Sequence, residues 1–460
     1  MNKAWFLKAA TVLLISGALF FLLEISLRVL YKNELRDMRT TPSVLQEYLW
    51  DPPRIFIENQ KGRYETNIAG LGGLARVQIQ HFEMPKRKGL YRIFCAGGSS
   101  VQGVPYAGSR ERADPGKAFP ARLEEILKKD FKNIEVINAG LGASSSPQLL
   151  ALVKELTQYE PDCIILYAGH NEYGYYFWQP EVLKIPAWRL KAARWLDRLY
   201  VYRFICKITR QTVPINNENS GVWRKYAAGE EGAESHLEKK YKHMIPSKEW
   251  EGFVRKELLL SEVTFEKNLF EMKRVLEEKN IKFMICTLVS NLKDFPPIFN
   301  FHSPGLSKKD LLRWEDLYEE AKRSMASADP DRTLRELKRL AALDGRYAET
   351  YYLLGQVYYA LGDYAQARKN YILAKDLSPA YCPFQRAPSS LNELIRSFAR
   401  ENNVYLVDIE EDFYSLKDNF GIPGEDLFWV NLHPNEQGYR LIAASIAQAM
   451  KRLKLIPATV

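Results

Sequence analysis

Five short runs of apolar and β-branched residues punctuate the chain: YRIFCA (91–96), IEVIN (134–138), CIILYA (163–168), KFMICTLV (282–289) and VYLVDI (404–409). Each is continuous rather than alternating, the pattern of a strand buried on both faces of a parallel sheet. Most lead into a stretch of helical periodicity. Strand–helix alternation predicts a doubly wound, flavodoxin-like α/β domain with a parallel five-stranded sheet. Side chains that do chemistry in such a domain gather at the carboxyl ends of the strands. The domain is expected over 40–300 and 380–460. Its opening stretch, about 40–88, has no clear period and is expected to wrap the core.

Two segments interrupt the alternation. The first, about 175–250, contains PAWRLKAARWLDRLYVYRFICKITR, with Trp188, Trp195, Leu199 and Tyr202 on an apolar face and Lys191, Arg194 and Arg198 on a basic one. Such a helix either packs on its own domain or lies on an anionic membrane surface. In the second, 311–379, Tyr351, Leu354, Gly355, Tyr358, Gly362, Ala367, Tyr371, Ala374 and Pro379 fall at the spacings of a tetratricopeptide repeat. Small residues there let two antiparallel helices approach, aromatics fill the gap, and Pro379 ends the second helix. The stretch WEDLYEEAKRSMASADPDRTLRELKRLAALD looks like a degenerate preceding repeat. One or two repeats make no stable solenoid alone. This α-helical insertion is therefore expected to brace the α/β domain or to offer a surface to a protein partner.

The amino end, residues 5–30 from Trp5 to Leu30, is uncharged from Ala9 to Leu23 and long enough to span a bilayer. Lys8 can snorkel at one end, and Glu24 and Arg28 can pair across one helical turn at the other. A cleaved signal peptide is the rival reading. No A-x-A-like site follows Leu23, and no cysteine precedes Cys95, so an uncleaved transmembrane anchor is expected. Basic residues on both flanks mark its orientation weakly.

At 460 residues the chain exceeds one ordinary domain, and 46% hydrophobic with 26% charged residues describes a globular protein with a core. The net charge of +9 is spread along the chain with no nucleic-acid-binding motif, so nucleic acid is not an expected partner. Cys95, Cys163, Cys206, Cys286 and Cys382 form no CxxC pair and read as small buried hydrophobes. His81, His236, His243 and His302 are scattered with no HExxH motif, so neither metal nor cofactor is expected.

Four blocks at element boundaries carry the candidate chemistry. Ala96-Gly97-Gly98-Ser99-Ser100 follows the first strand, where glycines allow a sharp turn and Ser99 would open a helix. Asn138-Ala139-Gly140-Leu141-Gly142-Ala143 follows the second and exposes backbone N–H groups. Gly169-His170-Asn171-Glu172 follows the third; Asn171 offers a side-chain amide and His170 reads as structural. Leu432-His433-Pro434-Asn435 precedes an apparent last helix. Hydroxyl attack on an ester needs a base within hydrogen-bond reach and donors where the carbonyl oxygen becomes negative. The G-x-S-x-G elbow of α/β-hydrolases is absent around Ser99.

These blocks resemble the SGNH (GDSL-like) hydrolase superfamily, in a branch whose first block is Gly-Gly-Ser. Gly97-Gly98-Ser99-Ser100 matches that block, Asn171 in GHNE matches the GxND block, and His433 matches the terminal histidine. The resemblance implies Ser99 as nucleophile, His433 as base, and an oxyanion hole of Ser99, Gly142, Ala143 and Asn171. With the repeat and anchor, the chain looks like a bacterial membrane-anchored subgroup, single-pass in the inner membrane with its catalytic domain extracytoplasmic. It departs from the family's Asp-x-x-His block, because Val430 stands three before His433. Asp426, seven before, is the first stand-in acid and Asp408 the second. Three functions follow: an esterase of O-acyl, including O-acetyl, groups on a glycan or lipid; an O-acyltransferase of envelope or exported polysaccharide; or an anchored interaction protein whose pocket has decayed.

Overall fold

The computed structural model describes residues 3–31, 54–59, 62–67, 80–106, 114–173, 196, 199–208, 248–297, 300–303, 305–327, 329–378 and 386–457, with the side chains of 3–10, 13, 203, 206–208 and 248–260 left aside. In chain order the first elements are α1 (Lys3–Leu30), β1 (Phe56–Glu58), β2 (Arg63–Thr66), β3 (His81–Glu83), β4 (Tyr91–Gly97), α2 (Ser99–Gln102), α3 (Phe119–Leu127), β5 (Ile134–Gly140), α4 (Ser146–Leu156) and β6 (Cys163–Tyr167). Then come α5 (Tyr200–Ile208), α6 (Lys248–Glu277), β7 (Lys282–Cys286), α7 (Lys308–Ala326), α8 (Pro330–Leu343), α9 (Ala348–Ala360) and α10 (Tyr364–Leu377). The chain closes with α11 (Ser389–Glu401), β8 (Tyr405–Val407), α12 (Ile409–Tyr414) and α13 (Glu436–Arg452). Two compact units result: Met1–Trp50 with Gln179–His243, and Asp51–Trp178 with Met244–Val460.

In the larger unit all five expected strands form one parallel sheet of order β5-β4-β6-β7-β8. Every residue of β4 and β6 is buried, as continuous apolar runs require. Register follows the pattern: Ile93 stands beside Val136 on one side and Cys163 on the other. Cys95, Cys163 and Cys286 are fully buried free thiols.

β7 and β8 stop two or more residues before their apolar runs do, for visible reasons. After Cys286 the ladder gives way to side chains: Leu288 N donates to Asn392 Oδ1 at 2.8 Å and Val289 N to the Tyr167 hydroxyl at 3.3 Å. After Val407, Asp408 turns the chain into α12 by accepting from Glu411 N.

The stretch expected to wrap the core holds a small antiparallel sheet, β1-β2-β3. It is fixed by Glu155 of α4, which accepts from Ile55 N and Phe56 N at 2.9 and 3.1 Å, and by edge-on packing of Phe56, Phe82 and Tyr159.

Between β7 and α11 stand two antiparallel helix pairs, α7–α8 and α9–α10. Gly355 lets α9 meet α10, since a Cβ there would lie 2.7 Å from the Tyr371 ring. Tyr352, Ala367 and Tyr371 pack with Leu292 and Ile422 of the α/β body, and the Tyr352 hydroxyl donates to Lys293 O at 2.7 Å. A strap before α7 ties in as well: Asn300 Oδ1 accepts from Glu349 N, and His302 Nδ1 meets Asp344 Oδ2 at 2.6 Å. Pro379 lies outside the described residues.

In the smaller unit, Glu24 caps α5 by accepting from Tyr200 N and Val201 N, both at 2.9 Å, and Leu27 packs on Val201. Leu14, Ile15, Leu19, Phe21 and Leu22 of α1 are exposed. Among the described residues no helix is long and apolar enough to cross a membrane. Trp188, Trp195, Lys191, Arg194 and Arg198 of the basic aromatic segment lie outside the described residues.

Candidate active site

Ser99 opens α2 directly after β4, and the backbone there tolerates only glycine. A Cβ on Gly97 would lie 2.1 Å from Tyr167 O, and one on Gly98 would lie 2.8 Å from Asn171 Nδ2. The pair of glycines therefore brings the serine and the Asn171 amide together. On the other side, Gly140 passes so close to α2 that a Cβ would meet Gln102 N at 2.2 Å. This holds the loop 141–145 beside the serine.

His433 arrives from a turn before α13. Ser99 Oγ and His433 Nε2 lie 2.8 Å apart, 334 positions apart in sequence. The turn is fixed by Trp429 N donating to His433 O at 2.9 Å and by the Ser100 hydroxyl donating to Leu432 O at 3.1 Å. The ring is only partly covered at its surface. The protein packed around it nonetheless desolvates the imidazole, pushing its pKa from 6.5 down to about 4. His433 is thus a neutral base at ordinary pH.

Asp426 does not meet His433, which corrects the expectation of a stand-in acid there. Its Oδ2 accepts from Asn419 Nδ2 and its Oδ1 from Gly424 N, both at 2.8 Å, so it closes its own turn. Asp408 is forked by Arg396 and bonded by the Thr287 hydroxyl. Among the described residues no carboxylate bonds the His433 ring, and the serine and histidine stand as a dyad.

Candidate oxyanion donors lie on three loops, those after β4, β5 and β6. The backbone N–H groups of Ser99, Gly142 and Ala143 have no acceptor among the described residues. Ala143 adopts φ +57°, which turns the loop back on itself. Asn171 Nδ2 donates to Ser144 O at 3.1 Å, leaving its second N–H for a ligand. His170 is half-buried, accepts a long bond from Ala387 N at 3.4 Å, and is held neutral by desolvation with a pKa near 3.

The sequence reading passed over Glu172. Its carboxyl is buried and accepts from Ser146 N at 2.6 Å and from the Ser146 hydroxyl at 2.8 Å. Its position next to Asn171 was the available signal. Among the described residues no group of His, Cys, Asp or Glu is placed to hold a metal.

Residues 294–446 match the family model described as GDSL-like Lipase/Acylhydrolase, a stretch that includes His433 and not Ser99. Solved structures to which the chain is similar include a member of the lipolytic G-D-S-L family from Veillonella parvula, at 11% identity and TM-score 0.32, covering 79% of this chain and 99% of that one. The acetyl xylan esterase AlAXEase is similar at 15% identity and TM-score 0.34, covering 78% and 98%. A catalytic mutant of Axe2, an acetylxylan esterase from Geobacillus stearothermophilus, is similar at 10% and 0.32, covering 78% and 94%. No curated protein matches the chain.

Proposed function

We propose that this serine hydrolase acting on esters, for which the family match supports the SGNH superfamily, removes O-acyl groups, O-acetyl among them, from an extracytoplasmic glycan or lipid through an acyl-Ser99 intermediate. The observation that carries this reading is the 2.8 Å approach of Ser99 Oγ to His433 Nε2, with three backbone N–H groups that have no acceptor among the described residues, and the Asn171 amide, on the neighbouring loops.

His433 Nε2 takes the Ser99 proton as Oγ attacks the ester carbonyl. The carbonyl oxygen becomes negative among the N–H groups of Ser99, Gly142, Ala143 and Asn171, fixed before the charge develops. His433 then protonates the departing alcohol, and water activated by the same imidazole releases the acyl group. With no carboxylate bonded to the ring among the described residues, the imidazolium is stabilised only by its other surroundings. Turnover is therefore expected to be slow for a serine hydrolase, since loss of the acid costs on the order of 10⁴ in a full triad. The intact dyad weighs against a decayed pocket.

In this reading α1 is where the protein meets the membrane. Its exposed apolar side chains at Leu14, Ile15, Leu19, Phe21 and Leu22 support lipid contact. The docked helical insertion acts as a brace of tetratricopeptide type.

Labelling with a serine-reactive fluorophosphonate tests the assignment. Mass spectrometry should place the adduct on Ser99, and Ser99→Ala should lose p-nitrophenyl acetate turnover at least ~10³-fold while staying folded. An adduct on Ser100, with Ser99→Ala still active, would overturn it.

A further inference from the structure

The two halves of the oxyanion pocket come from strands that do not touch. Gly142 and Ala143 follow β5, Asn171 follows β6, and β4 lies between those strands. No ladder bond can set the distance between the two loops. What joins them is a pair of side-chain ties from consecutive residues: Asn171 Nδ2 to Ser144 O at 3.1 Å, and Glu172 to Ser146, the first residue of α4. The second tie is the stronger. Glu172 is bonded by both the Ser146 N–H and the Ser146 hydroxyl, and that hydroxyl also accepts from Asn268 Nδ2 of α6 at 2.9 Å.

We propose that Glu172 is a positioning residue of this oxyanion pocket, its buried carboxyl clamping the Asn171 loop to the start of α4 as an uncharged acid. The inference rests on Ser99 and Asn171 having the roles given above. A carboxylate one residue from Asn171 would repel the oxygen that turns negative during attack, and it would do so in a site that screens charge poorly.

The surroundings favour the neutral form. The groups facing Glu172 are Ser146 of α4, Asn268 of α6 and Tyr173 of its own loop; the Tyr173 hydroxyl meets Glu262, which also accepts from Ser390 of α11. None of these is a cation. Burial, opposed only by the two Ser146 bonds, pushes the carboxyl up to about 8. Below that pH, the neutral carboxyl accepts from Ser146 N through its carbonyl oxygen and donates its own proton to the Ser146 hydroxyl oxygen. Above it, the bonds persist and a negative charge appears behind the pocket.

The test follows kcat and KM for p-nitrophenyl acetate from pH 5 to 9.5 in full-length protein, with Ser99 labelling as a count of competent sites. In wild type, kcat should fall as pH rises through about 8. Glu172→Leu should lower kcat at neutral pH at least ~10-fold with KM within ~3-fold. Glu172→Gln keeps both bonds but does not ionise; it should recover most of that loss and abolish the alkaline fall. Hydrogen exchange gives a readout independent of turnover: residues 142–146 and 169–173 should exchange faster in Glu172→Leu and as wild type in Glu172→Gln. Should Glu172→Leu not fold, the pH profile of Glu172→Gln decides. An alkaline fall that persists in Glu172→Gln, or exchange unchanged in Glu172→Leu, overturns the clamp. A wild type that neither labels nor turns over condemns the Ser99 reading instead, and hydrogen exchange then still judges the clamp.

Discussion

At the scale of single residues, the proposed base, His433, bonds no carboxylate among the described residues. Burial alone moves the His433 pKa from 6.5 to about 4, whereas a neighbouring carboxylate would have moved it up. The base must be unprotonated to act, so kcat/KM should be level from about pH 5 to about 7 and fall as pH drops through about 4. An acid limb near 6.5 would show that the ring is solvated in the working enzyme. Val430→Asp places a carboxylate three residues before His433. It should raise turnover and move the acid limb up towards about 6. A pH–rate profile of that variant identical to wild type would show that residue 430 does not reach the ring. Glycine is decisive at Gly98: Gly98→Ala puts a methyl 2.8 Å from Asn171 Nδ2, and kcat should drop by on the order of 10²-fold as that donor is displaced. Steady-state kinetics beside a melting curve separates this from misfolding.

At the scale of elements, the apolar runs marked the strands well because a strand buried on both faces has little choice of residue. Their ends were not legible. Thr287–Val289 reads as strand, yet its backbone groups are satisfied by Val407 O, Asn392 and the Tyr167 hydroxyl from other elements. The helical insertion was legible for a similar reason: small residues at fixed spacings have a steric cause. Gly355→Ala tests that cause. The added methyl would sit 2.7 Å from the buried Tyr371 ring, and overpacking of that kind costs about 1–3 kcal/mol. The gain in helix propensity returns only about 1 kcal/mol. Thermal denaturation should show a lower midpoint; an unchanged or higher one would mean that α9 and α10 separate easily.

At the scale of the whole molecule, the insertion and the α/β body share a core through Tyr352, Tyr371, Leu292 and Ile422. Residues 308–377 expressed alone would expose that face, so the fragment should melt without a cooperative transition. A sharp transition in its circular dichroism would show an independent module. The anchor reading predicts that the full chain stays in the pellet after carbonate extraction, whereas a soluble form beginning shortly after Leu23 would reveal a cleaved signal. The sequence by itself determined the strands, the glycine turns beside Ser99, the Asn171 block and the terminal histidine, because each is a local pattern with a local physical cause. Only the tertiary structure decided that Asp426 bonds Asn419 and Gly424 instead of His433, that the His433 imidazole is desolvated and neutral, and that Glu172 joins two loops on either side of β4. Those depend on which distant residues share space, and on how much water the fold removes from around a charge, and neither quantity is carried by spacing along a chain.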